Sequence, residues 1–385
     1  MASVKLRVLI ICGAAALLSV VAACSSSSGG GREAPSHTAK GASSAATASA
    51  PSDGLIAQFT KGTGKAPSGV PVTVAAGKNI VIIPCSTALE GCMSGANAAL
   101  AAVKVLGWHG KIIDGGYSAA GYAKAIHAAV ADKADGIMLT AIDCPYAKSA
   151  LEDAKAADIP VVTSFSYDCN DPAFGGGGAA LYSGITANWD TYLQSWGAAK
   201  AQLVAAKKPG AEIIKITLSE FTGSIYENKG FDEGIKQACG SCKVDTIALT
   251  NADLAGSGAT QKIQAAVVSH PSASVIVAPA EPITGFIVST LKQDPGRKFF
   301  VLGGQGEAST MADIRAGTVS ADLCLDPTWL GWAEADVLVR VLAKQPIPSE
   351  GLGWQLVTKG VNLPASGPFV SSVNYVAAYK RMWGK

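Results

Sequence analysis

Glu90, Asp143, Glu281, Gln305 and Asp326 follow the ends of apolar, β-branched runs, directly or at the start of the next helical stretch, and so do Phe165, Tyr167, Tyr226 and Trp329. Carboxylates and amides accept protons from hydroxyl or ammonium groups, and flat rings cover C–H faces. Together they suit the holding of a small polar molecule rather than the breaking of bonds. Ser166 and Asn251 add polar contacts in equivalent places, and Met93 and Leu254 add apolar ones. Trp329 and Trp332 also share a helical face, so core packing competes with a site role for Trp329, and Asp326 before Pro327 also suits a helix cap. No reaction is marked out. The "STLK" of residues 289–292 lacks the partner motifs of Ser-x-x-Lys enzymes, "GGQGEAS" is not a full G-x-G-x-x-G, and no Gly-Lys-Ser/Thr phosphate loop occurs. No carboxylate pair is singled out for glycoside hydrolysis. His37, His109, His127 and His270 are scattered without metal-ligand spacing. The expectation is a binding protein with no metal, no cofactor and no catalytic residue.

The nine cysteines divide by context. Cys24 stands between an apolar run and "SSSSGGG", where no core could use it. Lys5 and Arg7 precede a run from Val8 to Ala23 that reads as a secretory signal (1–23), and Val21-Ala22-Ala23-Cys24 resembles a bacterial lipobox. Cleavage before Cys24 and acylation of its thiol would anchor the chain to a membrane without a spanning helix. An exported chain allows disulfides. Cys85 and Cys92 flank a short loop; Cys144 and Cys169 each follow a strand and meet if those strands are parallel neighbours; Cys239 and Cys242 lie at a helix C-terminus, which suits a structural clip rather than a redox pair. Cys12 belongs to the signal, and Cys324, in "ADLCLD", is expected as a buried free thiol.

Positioning the candidate residues takes a substantial scaffold. The chain has 385 residues, 49% of them hydrophobic and 16% charged, enough for one large domain or two lobes. A net charge of +2 without a basic block argues against a nucleic-acid partner. Residues 24–77, Ser/Ala/Gly-rich at first, read as a flexible tether with an end-to-end distance of about 40 Å, although the mildly apolar part from residue 54 has the option of docking on the body. From residue 79, runs such as "NIVIIP", "DGIMLTA" and "IPVVTSF" alternate with Ala-rich amphipathic stretches, and the rhythm restarts at "AEIIKITL". Two βα series imply an α/β fold of two doubly wound parallel-sheet lobes. Ligands in such sheets lie beyond the strand C-termini, and two lobes would face those edges across a cleft.

Three stretches carry a family resemblance: "ADGIMLTAIDCPYAKSALEDAKAADIPVVTSFS", "NKGFDEGIKQA" and "KFFVLGGQGEASTMADIRAGTVSADLCLDPTWLGWAEADVLVRVL". In order and spacing they resemble the type I periplasmic sugar-binding proteins, the ribose-binding-like group serving ABC importers. The resemblance implies an N-terminal lobe of residues 78–187 and 327–352, a C-terminal lobe of 188–326 and 353–385, and hinge crossovers near 186–189, 325–327 and after 344. It further implies a monomer, attached to the outer face of the membrane by the Cys24 lipid, that delivers a small solute to an ABC permease. Signalling of ligand state to a membrane kinase is the alternative that the sequence leaves open. The sequence departs from the family's charged clamp at three places: Gln305 replaces the Asp of Val-Gly-Phe-Asp-Gly, "APAEP" replaces Asn-Asp, and Phe165-Ser166 replaces Asp-Arg. Ribose itself is therefore not expected, and the excess of acidic over basic groups favours a neutral or cationic sugar-like ligand.

Overall fold

The computed structural model describes residues 53–385 except residue 282. The signal, Cys12 and Cys24 lie outside the described residues. The described chain begins with helix α1 (Asp53–Lys61). The first lobe then alternates β1 (Asn79–Pro84), α2 (Glu90–Val105), β2 (His109–Ile112), α3 (Ala119–Ala131), β3 (Gly136–Thr140), α4 (Cys144–Ala156), β4 (Val161–Ser164) and β5 (Gly184–Ile185). The second comprises α5 (Trp189–Lys207), β6 (Glu212–Leu218), α6 (Thr222–Ala238), β7 (Lys243–Leu249), α7 (Asn251–Leu254), α8 (Gly258–Ser269), β8 (Ala273–Val277), α9 (Ile283–Leu291), β9 (Phe300–Gly304), α10 (Ala308–Ala316) and β10 (Ala321–Leu325). Helix α11 (Pro327–Leu342), strand β11 (Trp354–Thr358) and helix α12 (Tyr375–Met382) complete the chain.

The strands pair as the two βα series require. The first sheet has the order β2-β1-β3-β4-β5, all parallel. The second has the order β11-β10-β9-β8-β6-β7, parallel except for β11. Read from β7 to β10, it repeats the order of the first. The central strands are apolar along their whole length because helices cover both faces. In the first lobe, Ile80, Ile82 and Met138 pack against α2 and α11 on one face, and Val81, Ile83, Ile137 and Leu139 pack against α3 and α4 on the other. The second sheet is sandwiched likewise.

The apolar part of the tether takes the docking option, and one lobe boundary differs from the expectation. Residues 53–77 are not a free coil. Phe59 of α1 is buried in the second-lobe core, Thr63 N–H donates to Trp354 O (2.9 Å), and Val72 is buried in the first-lobe core with its N–H on Met382 O (2.8 Å). This segment lacks a helical period long enough to reveal its partner from sequence. Nor does the tail 353–385 belong wholly to the second lobe. Strand β11 does, but α12 sets Tyr375, Tyr379 and Met382 into the first-lobe core beside Trp329 and Trp332. All three disulfides pair as expected, Cys85–Cys92, Cys144–Cys169 and Cys239–Cys242, and Cys324 is a buried free thiol.

Candidate functional site

The C-terminal strand ends of the two sheets enclose a cavity of about 340 Å³. Nearly every strand contributes through the residues just past its end, as β1 does through Leu89 and Glu90, β4 through Phe165, and β6 through Leu218 and Phe221. Leu254 follows β7, Glu281 follows β8, and Gln305 and Glu307 follow β9. Tyr117, Ala141, Phe165 and Gln305 all line the cavity, and all four have positive φ, from 48° to 107°. Non-glycine residues in this region carry strain, which here aims side chains into the cleft at turns where a relaxed backbone would turn them away.

Acidic groups gather at one end. Glu90 Oε1 accepts the N–H of Ala308 (2.8 Å) at the start of α10, and Glu307 Oε1 accepts the N–H of Gly91 (3.1 Å) at the start of α2. Each lobe thus supplies a carboxylate to the helix N-terminus of the other, where the orphan N–H groups and the helix dipole favour an anion. Behind them, Glu281 Oε2 accepts the N–H of Glu307 (3.2 Å), while its Oε1 is buried without a hydrogen-bond partner among the described residues. Burial pushes the Glu281 carboxyl well above the usual range, and the neighbouring Asp322 carboxyl adds to the push. Asp322 itself rises to about 6 through burial, opposed by Lys200. Glu307 rises to about 7, chiefly through burial and then through the charge of Glu90. Lys200 is fully buried, bonds Glu227 Oε1 (2.7 Å) and holds the carbonyls of Ala278 (2.9 Å) and Pro279 (3.1 Å), fixing the turn that presents Glu281.

Of the residues singled out from sequence, the cavity takes Glu90, Phe165, Leu254, Glu281 and Gln305. The others serve elsewhere. Asp143, at the start of α4, accepts Tyr167 N–H (3.0 Å) and the Thr222 hydroxyl of the opposite lobe (2.6 Å), and burial raises it to about 6. Ser166 is buried and donates to Ser164 O (3.0 Å) while accepting Ile142 N–H (2.9 Å). Tyr167 stacks on Tyr226 (5.2 Å) beside the cavity, and the Tyr226 hydroxyl bonds Asp171. Asp326 caps α11 through Thr328 N–H (2.9 Å) and holds Ser371 N–H (2.8 Å). Trp329 is buried, stacked on Tyr375 (4.9 Å), with its indole N–H on the Tyr379 hydroxyl (3.2 Å). Met93 lies in the first turn of α2 and Asn251 is exposed at the start of α7; neither lines the cavity. Phe221, Glu307 and Tyr117 were not anticipated. Phe221 and Glu307 sit three residues past their strand ends, the same distance as Asp143 past β3, so strand-end position was a signal for them as well.

Residues 80–346 match the family model described as periplasmic binding protein domain. The chain belongs to that family. Its folded body resembles a glucose-galactose binding protein of Geobacillus stearothermophilus (TM-score 0.62, 16% identity, covering 74% of this chain and 99% of that one). It also resembles a carbohydrate transporter component of Acidothermus cellulolyticus solved with myo-inositol (0.57, 19%, 80% and 99%). A solute-binding protein of Burkholderia graminis solved with D-arabinose is a third such structure (0.63, 18%, 77% and 99%). No curated protein sequence matches the chain. The family and these structures are solute-binding proteins of the type I architecture; this chain is one of them and not an enzyme, and the family works outside the cytoplasm. Among the described residues no helix is long and apolar enough to cross a membrane.

Proposed function

We propose that the chain is a lipid-anchored solute receptor of an ABC importer, held to the outer membrane face through Cys24. It captures a small solute between its lobes and presents the closed form to a permease. The observation that carries this reading is the cavity, walled by strand ends of both lobes. A solute seated on one lobe gains the other wall only on closure, so binding shifts the population toward the closed form. The cavity size suits a molecule of sugar dimensions, and arabinose and myo-inositol in related structures support that scale.

Separate measurements test the receptor and the anchor. A thermal-shift screen of sugars, polyols and nitrogenous solutes should find ligands that raise the melting temperature by mass action. Small-angle scattering should show the same ligands compacting the body. Mass spectrometry of membrane-extracted protein should find a lipid on Cys24, and Cys24→Ser should release the body from the membrane. A screen without hits, or hits without compaction, overturns the receptor reading; an unmodified Cys24 overturns the anchor.

A further inference from the structure

Resting on that reading, the composition of the cavity narrows what it takes. The sugar-binding expectation needs polar groups around the whole rim of a ring. Here the charged lining is all acidic, and Tyr117, Thr140 and Gln305 are the neutral polar groups beside it. Apolar lining is supplied by Leu218, Leu254 and Leu330, with Phe165 and Phe221 stacked at 5.9 Å. The acidic lining is Glu90, Glu281 and Glu307, and among the described residues no Lys, Arg or His lines the cavity. Glu281 is 7% exposed and directs an oxygen without a hydrogen-bond partner among the described residues. Asp322 lies fully buried behind it, and its charge pushes the Glu281 carboxyl up. The nearest buried cation, Lys200, is already engaged by Glu227 and two backbone carbonyls. An acidic lining without a cation of its own favours a positively charged donor, which relieves the mutual repulsion of the carboxyls.

We infer that the cavity binds a small organic amine, its protonated nitrogen against Glu281 and Glu307 and its apolar body against Phe165, Phe221 and the leucines, in preference to a neutral polyol. Polyol hydroxyls set against the leucine walls would lose water without gaining partners. An apolar body there loses nothing, and its burial adds to affinity.

The test compares matched probes by calorimetry and thermal shift on the folded body: 2-phenylethylamine, its neutral isostere 2-phenylethanol, and D-arabinose, allitol and myo-inositol. The amine should bind at least about tenfold more tightly than the alcohol, the scale of a hydrogen bond to a charged group, and more tightly than each polyol. Glu281→Gln should abolish the preference for amine over alcohol, and Glu307→Gln should reduce it; circular dichroism and the ligand-free melting temperature verify that both variants fold. Binding of a polyol but not of the amine overturns the inference and leaves the receptor reading intact. Equal affinity for amine and alcohol, or a preference that survives in both variants, also overturns it. Silence from every probe counts against the inference and the receptor reading together.

Discussion

The reciprocal carboxylate contacts between the lobes predict how strongly closure depends on Glu90 and Glu307. Both bonds, Glu90 to Ala308 N–H and Glu307 to Gly91 N–H, join groups of opposite lobes. In an open form those N–H groups return to water. A side-chain cap at a helix N-terminus contributes about 0.5–2 kcal/mol. Glu90 is exposed, so Glu90→Ala should sit at the lower end, about 0.5–1 kcal/mol, which is a two- to fivefold fall in the closed-to-open ratio. Glu307 is buried, and Glu307→Ala should cost nearer ~1–2 kcal/mol at a pH below the raised value of about 7. The double variant should lose at least the sum, because relief of the Glu90–Glu307 repulsion is gained in each single variant but only once in the double. Spin labels at the exposed positions Lys124 on α3 and Lys236 on α6 would read the inter-lobe distance distribution, with Glu233→Ala as a charge-matched control on the same surface. If Glu90 acts only on closure, the Kd for any ligand rises by no more than the closed fraction falls. An unchanged distribution in Glu90→Ala, or an equal change in the control, would refute the latch.

Three further outcomes follow from the geometry. Glu307 is raised to about 7 in the closed form, so its contribution to closure is complete below its ordinary 4.5 and is lost as pH rises through about 7; the ligand-free closed fraction should fall over that window by the same spin-label measurement, and Glu307→Gln should flatten the profile. Removing Cys144–Cys169, with a sequence separation of 25, should cost about 3.5 kcal/mol by loop-closure entropy, against about 1.9 kcal/mol for Cys239–Cys242 with a separation of 3; urea unfolding of the paired alanine variants would show the ranking, and a reversed order would refute the entropic account. Phe165→Ala and Gln305→Ala should each weaken ligand binding by roughly tenfold while circular dichroism stays native; full affinity in both would show that the cavity is not the ligand site.

The fold was legible because its signals are local. A run such as "NIVIIP" is β-branched, apolar and bounded by turns, and the Ala-rich stretch after it can only cover the sheet. The rule that ligands lie past strand ends then found Glu90, Phe165, Glu281 and Gln305 without coordinates. It failed where a strand-end residue is occupied in holding a turn or a helix start. Asp143 and Asp326 have the same chemistry as Glu281, but each is spent on neighbouring N–H groups, and sequence does not show which acceptors are already satisfied. Trp329 failed for a different reason. Its aromatic partners, Tyr375 and Tyr379, come from a helix about 50 residues away whose docking face no periodicity predicts. The same long-range packing hid the N-terminal segment, because Phe59 and Val72 look like isolated apolar residues until β11 and α12 are in place.

That packing bears on how the lobes move. Besides the three crossovers expected near residues 186–189, 325–327 and after 344, the chain passes between lobes twice more, from α1 to Val72 and from β11 to α12. Each extra passage runs beside one of these crossovers. Lys65 N–H bonds Gly351 O (2.8 Å), and Ser371 N–H bonds Asp326 (2.8 Å). Gly351 and Gly353 permit the first approach: a Cβ on either would lie 2.0 Å from Lys65 O or 2.2 Å from Gly64 N. Segments lying at the pivot shift least when the lobes rotate, so they can keep their bonds through opening while resisting twist and shear. The extra passages therefore confine the motion to a single hinge axis instead of blocking it. They also place the first described helix, α1, on the second lobe. A membrane tether that joins the body there would hold the second lobe and leave the first free to swing over the solute, and the cross-lobe carboxylates at α2 and α10 are the contacts such a swing makes or breaks.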